Sequence, residues 1–510
     1  MDFRTESLPD LVAAVRSRSV SARELAEHAL ARIEKVNPDV NAFVAIDADA
    51  AVAAADDVDR RIAAGDDVGP LAGIPFGVKD LEDTVGFVTS SGSATHAHDP
   101  PSTRDSVLVR RLKDAGAVVV GKTNTPEFGM KPQTDNPTFG ITRNPWDLER
   151  TPGGSSGGTS AALAAGMVPL ATGSDGGGSI RIPSSVTALS GLKPSLGRVP
   201  SGDPGPPGWH HLTTRGVMAR RIRDVAYALD VVVGPDRHDL RSLPREPGSW
   251  FDAVRKPAPP RRVGWCPTLG YARVDRQVRA ACEAAVHALA TTGTEIVELT
   301  SVFNEDPGPS IAALVSTYTR RTIEPFRDTP FWSKLDPLVV IAAEMAAATV
   351  SAVDLVEAED ACHRLNGQLL EVFEHVDLLA CPTTCGVMPL ASMPTTVGDL
   401  MARFLTEGDV DVERLTSGLD LEKLTGWLEG LGTLDVPLGT IDGEHVLDWS
   451  RITQPFNMTR SPAGTVCAGF TANGLPIGLQ VVGPQHADVA VLQAVAVIED
   501  VLALDTVAPI

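Results

Sequence analysis

The chain has 510 residues, 43% of them hydrophobic and 21% charged, an ordinary balance for a folded protein with a large buried core. Its 65 acidic and 44 basic side chains give a net charge of −21, which repels phosphate backbones and anionic lipid and so argues against nucleic-acid and membrane partners. Six cysteines without disulfide-like spacing fit a reducing compartment, and the opening MDFRTESLPD is charged from its second residue with no apolar leader core, so a cytoplasmic protein is expected.

The first elements are helical. Ser21 and Glu24 form a capping box ahead of an apolar face on Leu25, Ala29 and Ile33, and Asn37-Pro38 is expected to end that helix. An alanine-rich helix runs from Asp47 to Ala64 and stops at Gly65. Short apolar strands follow at Ile74–Val78 and Ala117–Val120, with a helix at Ser106–Ala115 between them, an alternation that argues an α/β layer fold. The stretch from Thr151 to Ser174 carries no charge but is too rich in Gly, Ser and Pro for a membrane helix, and is read as buried. Ser201–Trp209 reads as a Pro/Gly surface loop. Thr395–Trp449 reads as an insertion or a mobile lid. Its helical stretch Asp411–Leu431 offers Leu415, Leu419, Leu424, Trp427 and Leu428 to a cleft. A strand at Leu475–Val482 and a helix at Asp488–Val501 close the chain. Length alone suggests about three domains, but large α/β enzymes exceed that prior as one unit, and residues 1–510 are read as one.

Three segments carry chemistry. In Gly73-Ile74-Pro75-Phe76-Gly77-Val78-Lys79-Asp80 an apolar strand ends on a lysine, and a desolvated ammonium gives up its proton readily enough to serve as a base. In Gly153-Gly154-Ser155-Ser156-Gly157-Gly158 the glycines allow close chain approach around two serines. In Gly173-Ser174-Asp175-Gly176-Gly177-Gly178-Ser179-Ile180-Arg181 consecutive N–H groups can converge on one spot before a serine, as an oxyanion hole requires. Between Ser155 and Ser179 a helix at Ser156–Ala165 climbs about 15 Å and a strand at Met167–Thr172 returns roughly 18 Å, so the two serines can meet at one end of a helix–strand unit. Cys381 and Cys385 have no second pair at zinc spacing, so free thiols are expected, with no metal and no cofactor.

Together these segments resemble the amidase signature family. Supporting likenesses are Asn37-Pro38 with Asn41-Ala42-Phe43, Lys122-Thr123-Asn124-Thr125-Pro126-Glu127-Phe128, and Gly474-Leu475-Pro476-Ile477-Gly478-Leu479-Gln480. The likeness is densest between Gly69 and Pro194, within a core signature region 69–200, and thins between Gly202 and Gly469. It implies a large mixed β-sheet flanked by helices on both faces. It also implies Ser179 as nucleophile, Ser155 in a cis peptide as proton relay and Lys79 as base. Gly176, Gly177, Gly178 and Ser179 would supply oxyanion-hole N–H groups, with Ser156 and Ser174 in support. Many members carry Thr or Ile where this chain has Gly176, which suggests a roomier oxyanion loop. The implied chemistry is hydrolysis of C–N bonds through an acyl-enzyme. The SDGGGS form resembles acylamidase and oligoamide-hydrolase members, pointing to small or aromatic amides, esters and carbamates or urethanes. Gly129, Met130 and Trp209 are the candidate pocket wall. A small amide or carbamate is the expected partner, with a homodimer admitted.

Two other readings compete with this one. GGSSGG satisfies the G-x-S-x-G elbow, but polar, proline-broken Asn144–Pro152 precedes it instead of a buried strand, and none of the eleven histidines sits in a motif. The resemblance also admits the amide-transferring component of a glutamine-dependent tRNA amidotransferase, inert outside its complex. The acidic charge and the Thr395–Trp449 segment speak against it.

Overall fold

The computed structural model describes residues 1–202, 209, 212–391, 439–442, 444–446 and 449–510. The alternation in the first third becomes a βαβ unit. Strand β1 (Phe43–Ile46) precedes β2 (Pro75–Lys79), and after the helix Val107–Asp114 the chain returns as β3 (Val118–Thr123), parallel to β2. A small antiparallel ladder, β4 (Asp135–Asn136) and β5 (Gly140–Ile141), leads to the buried helix Gly157–Ala164 and then to β6 (Leu170–Asp175). The remaining strands are β7 (Ser190–Lys193), β8 (Thr214–Ala219), β9 (Arg262–Trp265), β10 (Glu295–Glu298), β11 (Leu378–Pro382), β12 (Gly439–Ile441), β13 (Glu444–Val446), β14 (Ala463–Phe470) and β15 (Pro476–Val482).

Eleven of them form one mixed sheet in the order β1-β3-β2-β6-β8-β7-β14-β15-β11-β9-β10. Helices cover both of its faces, as expected. Gly464 and Cys467 on β14 are an odd number of residues apart, so they point to opposite faces, and Gly478 on β15 pairs with Cys467. The Gly464 face meets Val491 and Val495 of the closing helix Asp488–Leu502, whereas the Gly478 face meets Ser185 of the helix Arg181–Val186.

The order also locates the site. From β2 the chain goes first to β3 on one side and then to β6 on the other, and all three strands run parallel. Such a reversal of strand order opens a crevice at the carboxyl ends, where ligands bind in open α/β sheets. Lys79 is the last residue of the middle strand.

Two expected boundaries move. The helix starting at Ala22 does not end at Asn37-Pro38 but continues through Pro38 to Val40. The Asn37 side chain accepts from the N–H groups of Ala42 and Phe43, and the Asn41 N–H reaches the Asn37 carbonyl with Asn41 left-handed, so one more turn is secured locally. The strand expected at Met167–Thr172 lies at Leu170–Asp175, because Gly173, Ser174 and Asp175 pair with Gly216, Arg215 and Thr214 of antiparallel β8. The hairpin β12–β13 and buried Trp449 are the described parts of the Thr395–Trp449 segment. The proposed cover on Asp411–Leu431, with Leu415, Leu419, Leu424, Trp427 and Leu428, lies outside the described residues, as do residues 203–208 of the Pro/Gly loop. Among the described residues no single helix is long and apolar enough to cross a membrane.

Candidate active site

Lys79 emerges from β2 into a fully buried position. Its backbone N–H is held by Thr172 Oγ1 at 2.8 Å, which fixes the strand end against β6. The Nζ lies 2.8 Å from Ser155 Oγ, 2.9 Å from Ser156 Oγ and 3.1 Å from Ser174 Oγ. Three hydroxyls are a versatile shell. An ammonium can donate to all of them, and a neutral amine can donate to two while its lone pair accepts from the third. Burial is the main force on the group. It pulls the lysine down to about 7 from an ordinary 10.5, partly opposed by Asp175 and reinforced by Arg215.

Ser155 and Ser156 are placed by the glycine-rich turn before the helix Gly157–Ala164, and the Gly154–Ser155 peptide is cis. Thr125 Oγ1 donates to the Ser155 carbonyl at 3.0 Å, and the Ser156 N–H donates to the Ser179 carbonyl at 3.2 Å, tying the two serine segments together. Glycine is required here. A Cβ on Gly158 would strike the backbone of Asn124 and of Ala42.

The turn carrying Ser179 is organised by a buried ion pair. The Arg181 guanidinium binds both Asp175 oxygens at 2.9 Å and donates to the Thr453 carbonyl at 2.8 Å, to Gln480 Oε1 at 2.6 Å and to Asn457 Oδ1 at 2.6 Å. Burial alone would raise the Asp175 pKa, but the Arg181 charge and hydrogen bonds hold it far below the usual carboxylate range. Asp175 also receives the Gly178 N–H at 2.7 Å. That contact corrects one expectation: the Gly178 donor is spent inside the turn and does not face the crevice. Among the described residues none accepts from the N–H groups of Gly176, Gly177 or Ser179. Those three remain able to hold a developing oxyanion.

A cavity of about 280 Å³ opens onto this turn. Ser155, Ser174, Gly176 and Ser179 line it, and so do Gly129, Met130 and Trp209, the three residues expected in the wall. Gly129 is left-handed at φ 74°, and a Cβ there would sit 2.9 Å from Leu81 Cδ1 and 3.3 Å from Ser155 Oγ. Met130 also packs with Ile323, Leu335 and Val339. The room expected at Gly176 is absent: an added Cβ would lie 2.6 Å from Trp209 Cε3, so the indole fills it.

Sequence reasoning missed Arg215, which lines the cavity, is largely but not fully buried, pairs with Glu82 and is pulled down by desolvation to about 10. It missed Asn457 too, whose amide reaches the Asp175 carbonyl and Oδ1 at 2.9 Å and the Leu212 carbonyl at 3.1 Å. Neither sits in a recognisable motif. Only the later pairing of β8 with β6 and the return of residues near 457 bring them in. Among the described residues no group of three or more His, Cys, Asp or Glu side chains is arranged to hold a metal ion.

Residues 24–406 and 439–492 match the family model described as Amidase. An acylamidase of Rhodococcus erythropolis is 34% identical over 97% of this chain and 95% of its own length. The A-type component of a glutamyl-tRNA(Gln) amidotransferase of Bdellovibrio bacteriovorus is 39% identical, but over 59% of this chain and 60% of its own. The crystal structure of a bacterial aryl acylamidase of the amidase signature family superposes with a TM-score of 0.84 over 99% of both chains at 26% identity. The chain belongs to the amidase family, has the fold of its amidase signature members, and is a hydrolase acting on amides.

Proposed function

We propose that this amidase cleaves small or aromatic amides, and carbamates or urethanes of similar shape, through an acyl-enzyme on Ser179. The observation that carries the reading is the buried Lys79 amine, ringed by the hydroxyls of Ser155, Ser156 and Ser174 and tuned to about 7. A base poised near the working pH is half unprotonated and still a competent acceptor. Ser179 Oγ attacks the carbonyl carbon while its proton passes to Ser155 Oγ, and the Ser155 proton passes to Lys79 Nζ. The oxyanion forms against the N–H groups of Gly176, Gly177 and Ser179, each such donor contributing about 10²–10³ in rate in other hydrolases. Lys79 then returns a proton through Ser155 to the leaving nitrogen as the C–N bond breaks. Water deacylates Ser179 by the same route.

Leu81, Phe128, Met130, Leu196 and Val199 give the cavity an apolar side that suits an uncharged acyl or amine group, beside the charged Arg215, Asp239 and Arg241. The near full-length sequence likeness to an acylamidase supports independent hydrolysis over the amidotransferase-component reading, whose sequence likeness covers 59% of this chain. The test is the purified chain on its own with p-nitroanilides, anilides, phenylcarbamates and primary amides. Turnover that disappears in Ser179→Ala supports the proposal. Turnover unaffected by that change sinks it.

A further inference from the structure

The packing of Gly176 against Trp209 has no counterpart in the reacting groups. The benzo edge of the indole sits where a side chain at 176 would be, with Cε3 at 2.6 Å and Cζ3 at 3.1 Å from an added Cβ. Real Cβ atoms do not approach that closely, so glycine at 176 and tryptophan at 209 are sterically matched. The placement is enforced from two sides. Trp209 has φ 46°, a left-handed conformation that bulky residues rarely adopt, and its carbonyl accepts from the Leu212 N–H at 3.0 Å. The Leu212 carbonyl is in turn bonded by Asn457, the residue that braces Asp175 at the start of the oxyanion turn. One amide thus anchors both Leu212, whose N–H holds the Trp209 carbonyl, and the turn the indole rests on. The indole is half-buried and lines the cavity with Phe128, Met130 and Leu196.

We infer that Trp209 is a specificity-determining residue. By occupying the side-chain space of Gly176 it sets an aromatic wall directly on the oxyanion turn and selects substrates with a planar aryl ring bonded to the scissile amide or carbamate. The inference rests on the amide-hydrolysis reading above and narrows its substrate class. An aryl ring approaching the scissile bond meets the indole in offset or edge-to-face contact, whereas a saturated ring of the same size is thicker and gains only its buried area.

The experiment uses matched pairs. On the amine side these are acetanilide and N-cyclohexylacetamide. On the acyl side they are the p-nitroanilides of benzoic and cyclohexanecarboxylic acid. Dividing kcat/KM of the aryl member by that of its saturated partner, and comparing the parent with Trp209→Leu, cancels intrinsic reactivity. The ratio is expected to fall about two- to tenfold in Trp209→Leu on at least one side, and the side that falls identifies where the ring lies. An unchanged ratio on both sides overturns the inference. The same pairs are titrated by calorimetry into Ser179→Ala protein with and without Trp209→Leu. The aryl preference in binding, and its loss with the indole, are expected there whatever Ser179 does. A failure of the catalytic reading is thereby told apart from a failure of this one. The steric match is tested by Gly176→Ala, expected to cut kcat/KM sharply, and by adding Trp209→Leu, expected to restore a measurable part of the loss while Thr213 Oγ1, 3.0 Å from the added Cβ, stays close. A double variant no better than Gly176→Ala overturns the match. Should Gly176→Ala not fold, recovery of folding in the double variant reads the same coupling.

Discussion

Replacing Lys79 by methionine tests the base assignment without any substrate. Methionine keeps the unbranched shape of the buried stem and removes the titration. The lysine stands at about 7 in the folded protein and at an ordinary 10.5 when exposed, chiefly because burial penalises its charge. Its folded pKa is therefore depressed below the unfolded one. Between those values the unfolded chain binds a proton that the folded protein lacks, so the wild type gains stability as pH rises through the window. Below about 7 the full cost of burying the lysine is present. Lys79→Met is free of that cost, so the parent's stability relative to the variant is lowest below about pH 7 and rises in alkali. From pH 7 to pH 9 the difference in unfolding free energy between the two proteins is expected to shift by about 2 kcal/mol in the parent's favour. The hydroxyls of Ser155, Ser156 and Ser174 lose a partner in the variant, but that loss is the same at both pH values and drops out of the comparison. Urea unfolding of both proteins at pH 7 and pH 9, at fixed ionic strength, measures it. A gap independent of pH would mean that Lys79 titrates as an ordinary lysine, and the base assignment would fail. In the parent enzyme the same pKa requires kcat/KM to drop about tenfold per pH unit below 7.

Ser179→Ala should abolish labelling by a fluorophosphonate while near-ultraviolet circular dichroism stays native; retained labelling would move the nucleophile elsewhere. Lys79→Ala should slow an amide more than the ester of the same acyl group, because only the amine must be protonated on departure, and equal losses would contradict the relay. Arg181→Met leaves the Asp175 carboxylate buried without its countercharge, so a loss of about 3–5 kcal/mol in urea unfolding is expected, together with loss of Ser179 labelling as the turn loosens. A variant as stable as the parent would show that the pair does not organise the turn.

The side chains proposed to react were legible as candidates because glycine-rich turns and a strand-ending lysine are local patterns, and the structure brings Lys79 within hydrogen-bond reach of Ser155. Lys79, Ser155 and Ser179 each sit beside residues whose backbone needs are written next to them. What braces them was not legible. Thr453, Asn457 and Gln480 lie some 270–300 positions from Arg181, and no periodicity links a buried guanidinium to acceptors that far away. The fate of the Gly178 N–H was hidden for a related reason, since a glycine run announces available donors but not which one a neighbouring carboxylate will take. The β6 boundary was misplaced because Gly173, Ser174 and Asp175 have little strand propensity of their own and are extended by pairing with β8. The expectation of room at Gly176 failed because the space left by a missing side chain belongs to whatever packs there, in this case an indole 33 residues downstream.

The distant bracing of Arg181 bears on how the enzyme comes into being on the ribosome. Every side chain proposed to react lies at or before residue 179. Yet the guanidinium that shapes the Ser179 turn finds the Thr453 carbonyl, Asn457 and Gln480 only some 270–300 residues later in the chain. Closing contacts of such long sequence separation is slow. A nascent or shortened chain carrying Lys79, Ser155 and Ser179 is therefore expected to lack the bracing of its Ser179 turn. Hydrolysis is expected only once the segment that supplies Thr453, Asn457 and Gln480 has docked against the Ser179 turn.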